Sequence, residues 1–499
     1  MWYNISVLQT PIPRKERNTI VRKFDTKVQY LKYRVLREIA RFAFEGTLLE
    51  HLPEIPEIIV PGKTATMRCC VYKERAIVNE RVKMAMGGDK TNPNAIEVIE
   101  IACDECPMGG YEVTEACRGC LAHRCEDVCK RGAITFDEQQ KAHIDKSKCV
   151  ECGQCAKVCP YSAIANHKRP CVRACKVKAI SMDESMAAKI DNEKCISCGA
   201  CVYQCPWGAI TDKSYILDAI SFLRDSAANP EKHVYAVVAP SIASQFVYAK
   251  LGQVVSGIKH LGFYGVEEAA QAADLVALKE TEELIEKGFL TSSCCPAFVT
   301  YVKRQFPDLA PYISHNLSPA AALGKLIKEK DPSAKVVFIG PCTAKKMEMK
   351  QDEQSEYVDC VLTFEELQAL LSAKDIDLQT LPEESLEGAS YFGRIFGRSG
   401  GLSEAVTRVL QEKGIESFDL KAVTCDGIDA CRVALLKASK RVLDGNFIEG
   451  MACLGGCIGG AGCLTHGERN SMAVEQYGKK AGDTTVHHAA EALEEKPFA

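Results

Sequence analysis

The chain carries two adjacent cysteines, Cys294 and Cys295, in the stretch TSSCCPAF, and a proline follows them. Neighbouring thiolates cannot both bind one metal cluster comfortably, because each ligand must approach from its own direction. In an extended segment, adjacent side chains point to opposite sides. An extended backbone would therefore let these two neighbours serve different sites, and their residue types alone leave open whether they do the same job.

Cysteine is the unusual feature of the composition, with 27 among 499 residues. The first residues, MWYNISVLQTPIPRKER, lack the apolar core of a secretion signal, so a disulfide framework is not expected. No apolar run approaches the ~18 residues of a membrane span. The net charge of −4 gives no electrostatic footprint for nucleic acid. These observations predict a cytoplasmic metal protein without membrane or nucleic-acid partners.

Sixteen cysteines lie within residues 101–212, in spacings typical of iron–sulfur clusters. Two runs have the bacterial ferredoxin pattern C-x2-C-x2-C-x3-C-P. In that pattern three thiolates of one loop bind a [4Fe–4S] cube, and the fourth serves the other cube of the pair. The two runs are Cys149, Cys152, Cys155, Cys159 and Cys195, Cys198, Cys201, Cys205. A looser run is Cys117, Cys120, Cys125, Cys129, and two separated pairs are Cys103, Cys106 and Cys171, Cys175.

A short unit recurs four times in this region, as CEDVCKRGAI, CAKVCPYSAI, CVRACKVKAI and CVYQCPWGAI. The repeat predicts two pseudo-symmetric ferredoxin-like modules. Sixteen thiolates at four per cube predict four accessory [4Fe–4S] clusters, with two or three as the alternative. The spacing leaves open whether the run at 117 or the run at 195 pairs with the run at 149.

Three segments of the C-terminal half resemble the signature loops of [FeFe]-hydrogenases and occur in that family's order. They are SSCCPAF (292–298), GPCTAKKME (340–348) and EGMACLGGCIGGAG (449–462). The resemblance implies an H-cluster, which is a [4Fe–4S] cube joined through one cysteine to a two-iron unit with CO, CN⁻ and azadithiolate. It also implies the four cube ligands, with Cys457 as the bridge: Cys295, Cys342, Cys453 and Cys457.

The resemblance assigns further positions around this group. Lys345 matches a lysine that bonds a cyanide, and Met451 matches a methionine packed on the two-iron unit. Other lining positions are Ala239, Pro240, Ser241 and Phe396. The glycines near Cys457 would let the backbone pass close to a bulky inorganic group.

A proton relay is also implied by the resemblance. Cys294 matches a thiol that hands protons to the cluster, with a pKa that can be tuned toward neutrality. The remaining relay positions are Glu280, Ser314, Glu283 and the outer Lys287. By spacing alone, Glu280, Glu283 and Lys287 share one helix face and would be interpreted as a solvated surface.

Several positions depart from the commonest family pattern without removing a ligand. They are Ser292, Ala297, Phe298, Gly340, Ala320 and Lys287. The combination of CCPAF with PCTAKK resembles the group B branch, and the altered lining predicts altered catalytic bias and rate. No match exists for Cys360, Cys425, Cys431, Cys463 and His315, which we expect in the core or on the surface. Cys69 and Cys70 are expected to be buried thiols and receive no role.

The predicted architecture is an α/β catalytic domain with α+β ferredoxin-like modules and an N-terminal helical segment. Its boundaries are 1–100 for the helical region, 101–212 for the ferredoxin-like part, 213–475 for the catalytic domain and 476–499 for a polar tail. In 19–45, apolar residues from Ile20 onward recur every three or four positions, and Gly46 marks a helix stop. Strands are predicted at 234–241, 289–296 and 336–342, with a helix at 273–287. Sites of open α/β sheets lie past the strand ends.

The predicted function is a ferredoxin-linked hydrogenase catalysing 2H⁺ + 2e⁻ ⇌ H₂, with maturation proteins as additional partners. One alternative is a hydrogenase-like iron–sulfur assembly protein that lacks the two-iron unit. Retention of Cys294, Lys345 and the GGC loop argues against it. A second alternative is a hydrogen sensor on the same site. No signalling domain is evident after residue 470, which argues against a sensor.

Overall fold

The computed structural model describes residues 23–107, 109–351, 354–482 and 485–498. Ile20 and the N-terminal stretch 1–17 lie outside these ranges. The predicted amphipathic helix is α1 (Lys27–Glu45), and its buried face includes Val35, Ile39 and Phe42. Thr26 caps its start, and Gly46 ends it in the left-handed conformation (φ 79°), as predicted.

Short helices follow α1 in the N-terminal region: α2 (Leu48–His51), α3 (Ile55–Ile59) and α4 (Val71–Ala85). Cys69 and Cys70 lie just before α4, and both are exposed, so the expectation of buried thiols is wrong. The reason is local, because Cys70 is the N-cap of α4 and its sulfur accepts the backbone N–H of Lys73 at 3.5 Å.

The cysteine-rich region is built from four two-stranded antiparallel sheets. β1 (Ile96–Val98) pairs with β8 (Ile210–Asp212), and β6 (Ile180–Met182) pairs with β7 (Ala188–Ile190). Between them in sequence, β2 (Tyr111–Val113) pairs with β5 (Ile164–Asn166), and β3 (Ile134–Phe136) pairs with β4 (Ala142–Ile144). Four short helices complete the region: α5 (Arg124–Asp127), α6 (Gln154–Val158), α7 (Pro170–Ala174) and α8 (Ala200–Gln204).

Two parallel sheets form the framework of the C-terminal half. One has the strand order β10–β9–β12–β13, and the other has the order β11–β15–β14. The strands are β9 (Val234–Val238), β10 (Gly265–Glu268), β11 (Leu290–Thr291), β12 (Lys335–Gly340), β13 (Cys360–Thr363), β14 (Ala422–Asp426) and β15 (Phe447–Met451). The three predicted strands correspond to β9, β11 and β12.

Helices surround these sheets, and the predicted helix at 273–287 is the C-terminal part of α11. In chain order they are α9 (Ile216–Ala228), α10 (Leu251–Leu261), α11 (Ala269–Lys287), α12 (Pro296–Gln305), α13 (Pro319–Lys330), α14 (Lys345–Glu348), α15 (Phe364–Ala373), α16 (Tyr391–Ile395), α17 (Gly401–Glu412), α18 (Ile428–Ser439), α19 (Glu468–Gly478) and α20 (Val486–Glu495). The 3₁₀ turns are Leu52–Glu54, Glu100–Ala102, Pro240–Ser244, Pro307–Tyr312, Leu378–Thr380 and Cys457–Gly459.

The segment predicted as a polar tail contains α20, which packs against α11. Val486, Ala489, Ala490 and Leu493 form its buried face. Their spacing of three or four residues is the amphipathic pattern that the polar composition of the segment had obscured. Across the described ranges, no helix has both the length and the apolar character needed to cross a bilayer.

A buried ionic network joins the N-terminal helix, the cysteine-rich region and the catalytic half. Lys346 pairs with Asp212 at 2.9 Å and with Glu366 at 2.8 Å, and all three side chains are at most 1% exposed. Lys32 of α1 binds Asp212 and Glu365 at 2.5 and 2.6 Å. The two lysines hold the pKa of Asp212 below its ordinary value despite its burial. Nothing in the sequence predicted this junction.

Candidate active site and cluster ligands

The four cysteines proposed as cube ligands follow the carboxyl ends of three parallel strands. Cys295 follows β11 and precedes α12, Cys342 follows β12, and Cys453 and Cys457 follow β15. β11 and β15 pair in one sheet and β12 belongs to the other, so the loops converge only in the folded chain. The candidate ligands therefore lie past the strand ends, where sites of open α/β sheets are found.

The four thiols are close enough to influence one another electrostatically. Burial raises the pKa of Cys342 to about 11 and that of Cys457 to about 12, and the neighbouring Cys295 thiolate adds to both shifts. Cys453 is raised by burial and then by Cys342 and Cys295. Four mutually repelling thiolates in a buried place are suited to a cluster whose iron supplies the compensating positive charge.

Lys345 supplies a cation beside these thiols. Burial raises the pKa values of Cys295, Cys342 and Cys457, and the charge of Lys345 opposes this increase. Its side chain is 10% exposed, and its Nζ lies 2.5 Å from Oε2 of Glu348. Ser318 Oγ donates to the same carboxylate oxygen at 3.2 Å. The ammonium is therefore held in a fixed position, as required for binding an anionic ligand.

The glycines near Cys457 allow backbones to touch rather than simply leaving room for a cofactor. The Cys457 N–H donates to Gly397 O at 2.7 Å. Gly456 has φ +84°, and a Cβ there would lie 2.6 Å from the backbone nitrogen of Ser399. A Cβ on Gly460 would lie 2.5 Å from Pro341 O, beside Cys342. Glycine is needed here because three loops meet at main-chain distance.

The predicted lining positions lie in the interior around these loops. Ala239, Ser241, Phe396 and Met451 are buried, and Pro240 is half-buried. The turn Pro240–Ser244 packs against the Cys457–Gly459 turn. Within the described ranges, the buried Ser241 Oγ has no hydrogen-bond partner. An unpartnered buried hydroxyl is costly in an apolar interior, and a polar ligand of a bound group would satisfy it.

Three departures from the family pattern have local packing explanations. The Phe298 ring occupies the space above Gly450, where an added Cβ would lie 2.3 Å from the ring. The Phe338 ring fills the space beside Gly340, with 2.7 Å to an added Cβ. Ala320 lines a small cavity with Phe338 and Lys345. The altered residues therefore change the packing around the site and leave its thiols in place.

The two adjacent cysteines enter different environments, as the extended backbone predicted. Cys294 packs against the apolar cluster that includes Phe396, whereas Cys295 packs against a second cluster that includes Phe298. Burial, followed by the nearby Glu280 carboxylate, raises the pKa of Cys294 well above its ordinary value. A desolvated sulfur favours the protonated form, so Cys294 carries its proton in this environment.

Glu280 of α11 is fully buried next to this thiol. Its Oε1 accepts the backbone N–H and the hydroxyl of Ser293 at 3.2 and 3.1 Å. Within the described ranges, its Oε2 has no hydrogen-bond partner. Burial raises the pKa of Glu280 to about 7, although hydrogen bonds from Ser293 and Ser314 oppose the shift. Near neutral pH this carboxyl exists in both protonation states, as a proton carrier requires.

Polar side chains continue from Glu280 to the surface. Ser314 lies beside Glu280 and lowers its pKa, and the Ser314 hydroxyl donates to Oε2 of Glu283 at 3.0 Å. Glu283 pairs with Lys287 at 2.7 Å, and Lys287 Nζ lies 3.3 Å from His315 Nδ1. Burial raises the pKa of Glu283, but Lys287, His315 and Ser314 lower it overall. Only the outer end of the predicted helix face is solvated.

Three residues around this path were missed by the sequence interpretation. His315 is exposed, and its backbone N–H donates to Glu283 at 3.1 Å. Asn316 Nδ2 donates to both Glu283 and Ser314 at 3.0 Å. Ser293 donates to Glu280. Their only sequence signal is adjacency, since His315 and Asn316 directly follow Ser314, and Ser293 directly precedes Cys294.

The Cys195–Cys201 loop is the accessory segment that touches the catalytic loops. Thr343, next to Cys342, donates its hydroxyl to Ser197 O at 2.7 Å. Gly199 lies against Thr343 and Ala461, with no space for a Cβ. In the described ranges, no three His, Cys, Asp or Glu side chains converge on a single-ion site. A cube, by contrast, needs its four thiolates spaced around it.

The cysteines without a family match lie in the core, one of the two places expected for them: Cys360, Cys425, Cys431 and Cys463. Cys425 donates to Val423 O at 3.8 Å, and Cys431 donates to Met451 O at 3.6 Å. Cys360 and Cys463 donate to main-chain oxygens of Tyr215 and Ile458, both at 3.4 Å. The partners of these sulfurs are main-chain oxygens, which for Cys463 include Cys457 O at 3.9 Å.

Three family models match the chain. Residues 232–461 match the iron-only hydrogenase large subunit, C-terminal domain. Residues 116–163 match a 4Fe-4S dicluster domain, and residues 188–211 match a 4Fe-4S binding domain. These matches cover the three signature loops and twelve of the sixteen accessory cysteines, leaving Cys103, Cys106, Cys171 and Cys175 outside.

Curated relatives include both hydrogenases and an assembly factor. The chain is 31% identical over 384 residues to the periplasmic [Fe] hydrogenase large subunit of Nitratidesulfovibrio vulgaris, covering 65% of this chain and 87% of that protein. It is 29% identical over 380 residues to the NADP-reducing hydrogenase subunit HndD of Solidesulfovibrio fructosivorans, covering 64% of this chain but only 56% of that protein. A third relative is the cytosolic Fe-S cluster assembly factor NAR1 of Kluyveromyces lactis, 37% identical over 98 residues, or 20% of this chain and 21% of that protein.

Proposed function

Since this chain belongs to the iron-only hydrogenase family, we propose that it is an [FeFe]-hydrogenase that interconverts protons, electrons and H₂. The observation that carries the proposal is the line of polar side chains that runs from the buried pair Cys294 and Glu280, past Ser314, to the ion pair of Glu283 and Lys287 at the surface. A protein that only stores or transfers clusters has no need of a proton path, whereas H₂ formation consumes protons at a buried place.

The residues around the candidate site fit an H-cluster. Cys295, Cys342, Cys453 and Cys457 would hold its cube, with Cys457 as the bridge, and Lys345 would bind an anionic ligand. The unpartnered Ser241 Oγ offers a further polar contact. When bound, the H-cluster supplies the redox centre at which protons and electrons combine. The buried apolar lining, including Phe396 and Met451, excludes water and so limits competing reactions.

Protons are moved by the chain's own side chains. Cys294 keeps its proton because it is desolvated, so it can act as a donor on the site side. Glu280 reloads it, since a carboxyl with a pKa of about 7 both gives and accepts a proton near neutral pH. Ser314, Glu283 and Lys287 connect Glu280 to solvent, and Glu283 remains ionised because its neighbours lower its pKa.

Electrons are exchanged through the accessory [4Fe–4S] clusters, of which we propose four. The contact between the Cys195–Cys201 loop and Thr343, next to Cys342, supports electron transfer from the accessory clusters to the catalytic site. A cytoplasmic ferredoxin remains the predicted electron partner, and maturation proteins remain the predicted source of the two-iron unit.

An iron–sulfur assembly role is the second candidate, favoured by the relative NAR1. Such a protein would keep the cube ligands without the two-iron unit. The relay residues and Lys345 would then have no function in turnover.

The two candidates are separated by infrared spectroscopy and H₂ assay on protein produced together with the maturation machinery. The proposal predicts CO and CN⁻ stretching bands and H₂ formation with reduced ferredoxin. Protein that has full cube content but lacks both the bands and H₂ formation would establish the assembly role instead.

A further inference from the structure

The four copies of the cysteine repeat share one backbone conformation. Three residues after the second cysteine of each copy, the chain adopts a positive φ between 50° and 58°, at Gly132, Ser162, Lys178 and Gly208. Positive φ is uncommon for Ser and Lys. The following alanine then donates its N–H to the sulfur of that second cysteine. The bonds are Ala133 to Cys129 and Ala163 to Cys159 at 3.4 Å, and Ala179 to Cys175 and Ala209 to Cys205 at 3.2 Å.

The copy with Cys171 and Cys175 therefore has the same geometry as the other three, although no CxxC precedes it. An N–H bonded to a sulfur stabilises thiolate charge, and backbone donors to cluster sulfurs also tune its potential. This copy consequently has the features of a ligand loop and differs from the hydrogen-bonded core cysteines Cys425 and Cys431.

Strand pairing arranges the four copies as one unit inside another. β2 pairs with β5 and encloses the hairpin β3–β4, which forms an inner unit from Tyr111 to Asn166. β1 pairs with β8, and β6 pairs with β7 as a hairpin. These four strands lie before and after the inner unit in the sequence, and together they form an outer unit. The two hairpins turn alike, with positive φ at Gln140 (62°) and Met186 (64°).

The first and last residues of the inner unit lie next to each other in the fold. His167 N–H donates to Gly110 O at 2.9 Å, so the two ends of the insertion are held together. Arg169 is buried and donates to Pro107 O at 3.0 Å and to Met186 O at 2.7 Å. The residues on either side of the insertion are thereby brought into one structure.

The thiols of the outer unit meet across this insertion. Cys103 Sγ accepts the N–H of Ala188 from β7 at 3.3 Å. Cys103, Cys171, Cys201 and Cys205 share one buried cluster of side chains, so the first run and the second run of the outer unit pack against each other. Consistent with this contact, the pKa of Cys171 is raised to about 11 by burial and by the thiolates of Cys205, Cys103 and Cys106. The pair Cys103, Cys106 is thus the missing front half of the Cys171, Cys175 copy.

The inner unit shows the matching arrangement directly, because Cys117, Cys120, Cys125 and Cys159 line one cavity. Cys155 packs in the same cluster of side chains as Cys129 of the run at 117. The run at 117 therefore pairs with the run at 149, which answers the question that spacing left open.

We propose that the outer unit is a split two-cluster ferredoxin, whose first ligand run is interrupted by the whole inner ferredoxin. One outer cluster is held by Cys103, Cys106, Cys171 and Cys205. The other is held by Cys175, Cys195, Cys198 and Cys201 and lies beside the catalytic loops. The inner clusters have the equivalent sets, namely Cys117, Cys120, Cys125, Cys159 and Cys129, Cys149, Cys152, Cys155. The sets do not depend on hydrogen chemistry, so they can fail or hold independently of the proposed function.

The sets are tested by pairwise substitution in the full chain, purified without the maturation machinery. Iron and sulfide content and the electron paramagnetic resonance (EPR) spin count of the reduced protein are the readouts. Cys103→Ala or Cys171→Ala should lose one cluster, about four iron atoms, or convert it to a [3Fe–4S] centre with its own signal. Cys360→Ala, which changes a buried thiol outside all sets, should lose none.

Double variants identify which cysteines share a cube. Cys103→Ala with Cys205→Ala should affect one cluster, whereas Cys103→Ala with Cys175→Ala should affect two. The reverse pattern, or a Cys171→Ala protein with full iron content and an unchanged spectrum, would overturn the split ferredoxin. If the alanine variants do not fold, spin integration of the fully reduced wild-type chain decides: five cubes are expected, four accessory cubes and one at the catalytic cysteines, and four or fewer would refute the proposal.

Discussion

The cysteine-rich region and the catalytic half both gather thiols around candidate clusters, but they do so by different means. In the cysteine-rich region, a ten-residue unit brings its own turn, its own N–H···S bond and two cysteines, and the unit is used four times. In the catalytic half, four ligand cysteines come from loops after β11, β12 and β15, up to 162 residues apart in sequence. The first arrangement is local, and the second exists only when two sheets are complete.

The surroundings of the thiols differ as well. The catalytic half places a fully buried carboxyl, Glu280, beside the free thiol Cys294 and links it to solvent. Around the accessory cysteines the described contacts are mainly backbone N–H donors. Electron transfer needs ligands and fixed dipoles, whereas a reaction with protons needs titratable groups with shifted pKa values. This difference supports catalysis in the C-terminal half and conduction in the cysteine-rich region.

The largest expected effect concerns the junction between the two regions. Lys346→Met should lower the free energy of unfolding by about 3–5 kcal/mol, because Glu366 and Asp212 lose a buried counter-ion. Guanidinium unfolding followed by circular dichroism under anaerobic conditions measures this. The control is Lys250→Met, which removes the exposed pair with Glu383 and should cost at most about 1 kcal/mol. Equal stability of the two variants would contradict the structural role of the network.

The next effect concerns the proton path. Glu280→Gln keeps the shape and Ser293 contacts but cannot exchange a proton, so H₂ formation should fall about 100-fold. The matched control is Glu282→Gln, the same substitution on the exposed face of α11, which should leave the rate unchanged. Both variants should keep wild-type iron content. A Glu280→Gln protein as active as the control would remove this residue from the relay.

The pH dependence of stability should follow the same carboxyl. The pKa of Glu280 is raised from 4.5 to about 7, so between these values the folded state binds more protons than the unfolded state. The wild-type protein should therefore lose about 3 kcal/mol of stability as the pH rises through this window. Glu280→Gln should lose less. Glu283 should have the opposite effect on the pH dependence of stability. Its pKa is lowered in the folded state, so the ionised carboxyl stabilises the protein at high pH, and Glu283→Gln should remove the loss of this stabilisation on acidification. Identical pH–stability curves for wild type and Glu280→Gln would refute the shift.

The smallest effect is expected at the outer end of the path. Lys287→Ala should slow H₂ formation by no more than about fivefold, since a partly exposed ion pair contributes at most about 1 kcal/mol. His315, 3.3 Å from Lys287, can still exchange protons with solvent beside Glu283. The double variant Lys287→Ala, His315→Ala should therefore be slower than either single variant. If Lys287→Ala alone were as slow as Glu280→Gln, the path would have to end at Lys287.

The contrast between the two regions also explains what the sequence could predict. Ligand runs and the repeat were readable because each depends on residues within ten positions, and the capping of α1 by Gly46 is equally local. The three catalytic loops were identified by resemblance, because spacing alone cannot reveal convergence after separate strands. Cys106 and Cys171 are separated by 64 residues in the sequence, and their approach in the fold depends on the pairing of β1 with β8. The Lys346 network and the place of His315 likewise arise from tertiary packing.

Rates of H₂ formation by wild type and Cys294→Ala, at equal intensity of the CO and CN⁻ infrared bands, test the division of labour between the adjacent cysteines most directly. Cys431→Ala serves as a buried-thiol control. If Cys294 carries protons and Cys295 carries the cube, Cys294→Ala should keep the bands and lose at least about 100-fold in rate, while Cys431→Ala keeps both. A Cys294→Ala protein with intact bands and a rate within about twofold of the control would contradict the account.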